Sequence, residues 1–143
     1  MDKTLNLEII TPAKIIYSGE VLSLTVPGVD GSFQVLHNHA PIISTFEIGL
    51  IKLETADGKK LYFSTSGGTV EVLENKILVL ADSLEQVDQI DIKRAQDAYN
   101  RAKGRLSEKN NPDIDVSRAE AALARAMNRI NLANKYAGIK TGD

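Results

Sequence analysis

The chain contains no cysteine. That excludes thiol catalysis, thiolate metal sites and a disulfide framework, and it suits a reducing compartment. A basic surplus is also missing: 17 Lys and Arg stand against 19 Asp and Glu, for a formal charge of -2. No global positive field is present to hold nucleic acid or an anionic membrane, so any anion site must be local. No apolar run approaches the ~18 residues of a membrane helix, which speaks against direct membrane insertion. The N-terminus, Met1-Asp2-Lys3-Thr4-Leu5-Asn6, has neither the grammar of a signal peptide nor the Arg- and Ser-rich character of a transit peptide.

Familiar catalytic motifs are absent as well. There is no Gly-x-x-x-x-Gly-Lys-Ser/Thr and no Gly-x-Ser-x-Gly. Ser66-Gly67-Gly68 lacks the lysine and the helix of a phosphate loop and reads as a tight turn between strands. His37 and His39 are the two histidines; two ligands without a nearby third make a poor metal site. No catalytic residue, no metal and no required cofactor are expected.

What is present is a change of period. Across 143 residues of 43% hydrophobic content, enough to bury about two thirds of the unfolded surface, apolar residues first recur every second position and later at threes and fours. The switch falls within Ala81 to Ala95 and marks a passage from strand to helix. In the first part, Leu5, Leu7 and Ile9 alternate up to Thr11-Pro12. Ile15 to Ser18 restarts briefly before Gly19, and Leu22, Leu24 and Val26 alternate up to Pro27-Gly28. The turn-rich Gly28-Val29-Asp30-Gly31 leads into Phe33 to Leu36. Strand-like runs follow at Ile42 to Phe46, Leu50 to Glu54, Lys60 to Ser64, Thr69 to Leu73 and Lys76 to Ala81, with hairpin turns at Asp57-Gly58 and Glu74-Asn75. Eight or nine short strands at this spacing predict an antiparallel sandwich or barrel.

The second part predicts two helices. Ile92, Ala95, Tyr99, Ala102 and Leu106 form one stripe, with Asp88 or Asp91 as the start signal. Lys109-Asn110-Asn111-Pro112-Asp113 breaks it. A second stripe runs Val116, Ala119, Leu123, Ala126, Ile130, Ala133 and Ala137 before Gly138, with either a Ser117–Glu120 capping box or Asp115 at its start. A short turn predicts antiparallel packing. The alanine-rich seam buries little apolar area, at about 25 cal/mol per Å², so the hairpin is marginal alone and can change position.

Arg94 and Arg101 are seven apart, and Arg118, Arg125 and Arg129 share a face of the second helix. Folding about Asn111 brings the two sets into the same neighbourhood. Three readings fit: a solvated face paired with Glu85, Asp91 and Asp97, a basic face for an acidic partner helix, or an anion site, for which phosphate best matches the guanidinium fork.

Several segments resemble, in order and over nearly the whole chain, the epsilon subunit of F-type ATP synthases. They are Leu7-Glu8-Ile9-Ile10-Thr11-Pro12, Tyr17-Ser18-Gly19-Glu20-Val21, Pro27-Gly28-x-x-Gly31-x-Phe33, Asn38-His39-Ala40-Pro41, Ser66-Gly67-Gly68, Leu80-Ala81-Asp82-Ser83 and Ile90-Asp91-x-x-Arg94-Ala95. The resemblance implies an α+β fold: a flattened N-terminal antiparallel β-sandwich over residues 1–84, then a linker and C-terminal antiparallel two-helix hairpin over residues 85–143. It implies a non-catalytic rotor part whose sandwich binds the gamma subunit and rests on the c-subunit ring, with Gly28, Asp30, Gly31, Phe33, Asn38 and His39 toward those partners. Two positions depart from the family's common pattern: Gln34 replaces a frequent glycine, and His37 a frequent proline or similar turn residue.

By the same resemblance the hairpin either folds down against the sandwich or extends along gamma into the alpha/beta catalytic head, where it inhibits ATP hydrolysis. ATP is then a regulatory ligand of the folded hairpin, through Glu85, Ile90, Asp91, Arg94, Ala95, Arg101, Arg125 and Arg129. The implied location is the cytoplasmic face of a bacterial plasma membrane, peripheral and held by other subunits. A free-standing ATP-sensing module is the alternative, separated by whether the chain co-purifies with gamma.

Overall fold

The computed structural model describes residues 3–136, which form two compact units, residues 3–86 and 87–136. The first is built from nine strands: β1 (Leu5–Ile10), β2 (Ile15–Gly28), β3 (Gly31–Leu36), β4 (Ile42–Phe46), β5 (Gly49–Thr55), β6 (Lys60–Thr65), β7 (Gly68–Leu73), β8 (Lys76–Ala81) and β9 (Leu84–Gln86). Their hydrogen-bonded order is β1-β8-β7-β4-β2-β5-β6-β9, with β3 on β2 and β1 returning to β2. The fourteen residues of β2 serve both layers of the sandwich. Their first half pairs with β1, from Ile10↔Ile15 to Leu5↔Val21, and their second half pairs with β3 and β5.

Two sequence expectations change here. A break at Gly19 does not occur, because Gly19 pairs with Leu7 inside the β1 ladder and the strand continues through it. The register then shifts between Val21 and Ser23. A bulge of this kind re-aims side chains, so Val21 and Leu24 are buried where Leu22 and Leu24 were predicted to share a face. The short β9 was not predicted at all; its three residues carry no alternation and are fixed by pairing with β6, as in Phe63↔Gln86.

The predicted turns form for identifiable reasons. Glu74 and Asn75 take φ of 50° and 60° between the paired Leu73 and Lys76, the double left-handed conformation of a two-residue hairpin turn. At Asp57-Gly58 the glycine takes φ +87° and the Thr55 hydroxyl donates to the Asp57 carboxylate, which holds that carboxyl below its ordinary range. Val29-Asp30 joins β2 to β3 between the paired Gly28 and Gly31. The core between the layers is mostly aliphatic around a few phenylalanine rings, with Leu5, Ile9, Leu24, Ile51, Leu53 and Phe63 among its fully enclosed side chains.

The second unit opens with a 3-10 turn (Val87–Gln89), followed by α1 (Ile92–Ser107) and α2 (Val116–Lys135). Asp91 caps α1, its carboxylate accepting the Arg94 N–H at 3.0 Å, and Asp115 caps α2 through the Arg118 N–H at 3.0 Å. The Asp88 alternative and the Ser117–Glu120 box are therefore not the caps; Ser117 lies one residue inside the helix. In the connection, the Asn111 side chain accepts from the Asp113 N–H at 2.9 Å. Ala95, Ala102, Ala119, Ala126 and Ala133 are buried in the seam. Ile92, predicted in the stripe, is 47% exposed: as the first residue of α1 it lies at the stripe's edge, beyond Ala95. The described part of α2 ends at Lys135 with Tyr136 as its cap; Ala137 and Gly138 lie outside the described residues.

Gly104 sits inside α1, and a Cβ there would touch nothing within 4 Å. Since glycine in a helix interior costs about 0.5–1 kcal/mol relative to alanine, Gly104→Ala is expected to stabilise the hairpin by that amount. Slower amide exchange across α1, with no change in the sandwich, is the result that checks it.

Candidate functional site

Charge is divided unevenly between the units. Residues 3–86 carry six Lys, no Arg and ten Asp or Glu, whereas residues 87–136 carry ten Lys or Arg against seven Asp or Glu. All six arginines lie on the two helices. The local positive field that a phosphate needs is thus on the hairpin, hidden in the near-neutral total.

Helical periodicity places Arg94, Arg101 and Arg105 along one flank of the α1 alanine stripe, and Arg118, Arg125 and Arg129 along one flank of the α2 stripe. With the helices packed antiparallel through those stripes, both flanks border the same side of the seam. Arg94, Arg101 and Arg125 are exposed and Arg129 is half-buried. Arg105 was missed in the sequence; its signal was the four-residue step from Arg101.

The segment Ile90-Asp91-x-x-Arg94-Ala95 has a local structural job. Ile90 is buried, Asp91 supplies the cap, and Ala95 is wholly enclosed in the seam. Those three residues aim the Arg94 side chain outward from the first turn. Ala95 sits where a larger side chain would hold the helices apart. Glu85 belongs to the first unit, on β9, where it pairs with Ser64 and is half-buried.

On the sandwich, the residues expected toward the rotor partners fall on two connections. Gly28 and Gly31 bracket the β2–β3 turn with Asp30 at its exposed tip. A Cβ on Gly28 would lie 2.8 Å from the Gly31 carbonyl and 2.9 Å from the Phe33 ring, so Phe33 covers a site only glycine fits. Gln34 is extended and pairs with Thr25. The left-handed conformations lie at Gly31 (φ +122°) and Asn38 (φ 65°), so the departure from glycine at position 34 asks nothing unusual of the backbone. The His39 Nδ1 lies 2.8 Å from the Ala40 carbonyl oxygen.

A further feature had not been anticipated. The outer face of β4, β7, β8 and β1 carries Ile43, Leu73, Leu80, Leu78 and Ile10, with Ile43 79% exposed and Leu73 50%. Glu71 and Glu8 lie among them, in the row Ile43–Glu71–Leu78–Glu8. A groove of about 680 Å³ runs along this face. The sequence signal was the adjacent apolar pairs, Ile42-Ile43 and Val72-Leu73, and the unbroken run Ile77-Leu78-Val79-Leu80-Ala81, which mark strands apolar on both faces. A hollow of about 610 Å³ beside Ser66-Gly67 is flanked by Glu47 and Asp82, the wrong sign for phosphate. Among the described residues, no helix is long and apolar enough to cross a membrane.

A β-sandwich with an apolar outer face, joined to an arginine-flanked helical hairpin, is the build of an accessory chain that docks on other proteins. Family models cover both parts: residues 4–87 match the β-sandwich domain of the ATP synthase delta/epsilon chain, and residues 88–134 match its long alpha-helix domain. The chain belongs to the epsilon subunit family of F-type ATP synthases. It is 43% identical over 133 residues to the ATP synthase epsilon chain of Desulforamulus reducens, covering 93% of this chain and 99% of that one. It is 37% identical over 134 residues to that of Syntrophomonas wolfei, covering 94% and 97%. Its fold is similar to a chain in the Euglena gracilis mitochondrial ATP synthase OSCP/F1/c-ring structure, at TM-score 0.74 and 18% identity, covering 93% of this chain and 82% of that one.

Proposed function

We propose that the chain is a non-catalytic central-stalk subunit that couples proton-driven rotation to ATP synthesis and restrains ATP hydrolysis through its hairpin. Residues 1–84 serve the rotor side and residues 85–143 the regulatory side. Gamma docks on the apolar outer face of β4, β7, β8 and β1 and on the neighbouring Asn38-His39 turn, and the c ring meets the Gly28–Gly31 tip that Asp30 and Phe33 shape. Other subunits hold the assembly at the cytoplasmic face of a bacterial plasma membrane. The apolar face weighs against a free-standing sensor, because a solitary protein would leave that surface wet to no purpose.

The observation that carries the regulatory half is the gathering of six arginines on one side of an alanine seam. ATP, bound on the hairpin through Ile90, Asp91, Arg94, Ala95, Arg101, Arg125 and Arg129, favours the compact hairpin by its differential affinity for that form. At low ATP the hairpin extends into the alpha/beta head and blocks hydrolysis. No cofactor is required.

An ATP titration of the isolated chain, followed by backbone amide NMR with ADP as comparator, tests this. Saturable shifts at Asp91, Arg94, Arg125 and Arg129 are expected, larger with ATP. Arg94→Ala and Arg125→Ala should each weaken binding by about tenfold or more, the worth of one charge-assisted hydrogen bond. Unchanged affinity in both variants refutes the site.

A further inference from the structure

We propose that the turn carrying Asn38 and His39 is held by a proton-sensitive latch: neutral His37 accepts a hydrogen bond from the Asn75 side-chain amide, and proton uptake by His37 releases the turn. Asn38 and Asn75 both adopt left-handed backbone conformations and bind each other twice. The Asn38 N–H donates to Asn75 Oδ1 at 2.6 Å, and Asn75 Nδ2 donates to Asn38 Oδ1 at 3.1 Å. Those two bonds fix which end of the Asn75 amide is oxygen and which is nitrogen. The nitrogen lies 3.5 Å from His37 Nε2. An amide nitrogen offers only hydrogens, so Nε2 must be the acceptor and the ring's proton resides on Nδ1. That second nitrogen is buried and has no hydrogen-bond partner among the described residues.

A second proton on the ring is incompatible with this arrangement. On Nε2 it would set N–H against N–H, and the charged ring would keep an enclosed N–H with no acceptor, an arrangement that costs far more for an ion than for a neutral group. Relief comes from turning the ring or moving the turn, and either breaks the contact with Asn75. Asn75 itself stays anchored, since its backbone carbonyl accepts the Asn6 N–H of β1 at 2.9 Å. The titratable groups next to the contact in sequence are Glu74 and Lys76, on either side of Asn75, and the imidazole of His39. None of these hydrogen-bonds the His37 ring, and from β1 the backbone N–H of Asn6 bonds the Asn75 carbonyl. The consequence for docking rests on the assignment of the Asn38-His39 turn to the rotor side; the latch does not.

Amide and side-chain NMR of the full chain from about pH 8 to about pH 5, the range in which histidine charges, tests it alongside His37→Gln and His39→Gln. Glutamine at 37 can still accept from Asn75 but does not titrate. The Asn38 amide and the Asn75 side-chain amide are expected to move in step with the His37 ring. The Asn38 amide should also lose about fivefold protection from exchange, beyond the change in intrinsic rate, as one net hydrogen bond is lost. His39→Gln should behave the same, and His37→Gln should be flat. An Asn38 amide that ignores the His37 titration, or that still responds in His37→Gln, overturns the latch. If the latch opens as described while gamma affinity is the same at both ends of the range, the docking assignment of the turn fails and the latch stands.

Discussion

Replacing Gly68 by alanine is expected to destabilise the sandwich by about 3–5 kcal/mol, at the top of the range for single substitutions. Gly68 opens β7 at φ +159° with its backbone pressed between β4 and β8, paired with Phe46 on one side and Ala81 on the other. A Cβ there would sit 2.1 Å from the Leu80 carbonyl oxygen, 2.8 Å from the Phe46 ring and 2.9 Å from the Ala81 Cα. Two of the three obstacles are backbone and cannot swing aside. The urea unfolding midpoint, with Gly31→Ala as comparator, checks the prediction. Gly31 has φ +122° but nothing within 4 Å of its missing Cβ, so it should lose only about 1–2 kcal/mol of conformational strain. Equal midpoints for the two variants would show that close approach of the strands is not what demands glycine at 68.

The double substitution Ile43→Asp with Leu80→Asp is expected to weaken gamma binding by about a hundredfold or more, as loss of two central apolar anchors does. Both side chains stand on the outer face, in neighbouring rows separated by one residue along the strands, and both project into solvent in the isolated chain. The fold should therefore be kept: the unfolding midpoint should shift by less than about 1 kcal/mol equivalent, as for other surface changes. The added carboxylates would sit beside Glu71 and Glu8, strengthening a repulsion that any partner must then overcome. Titration calorimetry with purified gamma gives the answer. An unchanged affinity would move the docking surface elsewhere on the sandwich, and an unchanged response to ATP in the same variant would show that the hairpin was untouched.

The fold was largely legible because each half obeys a single period. Leu5-Leu7-Ile9 and Val70-Val72 point inward as alternation requires, and the alanine stripes reappear as the helical seam. What could not be read was set by pairing between distant segments. Nothing local tells Gly19 to continue a strand; Leu7 across the ladder does. Nothing in Leu84-Glu85-Gln86 announces a strand; the edge of β6 does. The choice of Asp115 over Ser117 turned on where the first helical turn begins, a difference of two residues that propensity alone does not resolve.

For the site, residue type and spacing exposed most of the arginine flank, since one kind of side chain recurring at sevens is visible in one dimension. Arg105 stands four residues beyond Arg101, off the seven-residue step, although the same step of four joins Arg125 to Arg129. The apolar outer face left a signal in Ile42-Ile43, Val72-Leu73 and the run Ile77 to Ala81, but a strand apolar on both sides does not say which side another layer will cover. The latch was further out of reach, because His37 and Asn75 are 38 residues apart.

The single strand shared by the two layers has a mechanical consequence. In an ordinary sandwich the layers are held face to face by side chains, and a sideways load can slide one over the other by repacking. Here β2 runs through both, so sliding would have to bend or tear a continuous peptide backbone together with its ladders to β1, β3 and β5. A load entering through the outer face at β4 and β8 crosses the ladders to β1 and β2, and the backbone of β2 then carries it on to the β3 tip. The sandwich behaves as a keyed joint, stiff in shear, which is the property a part needs if torque passes through it on every turn.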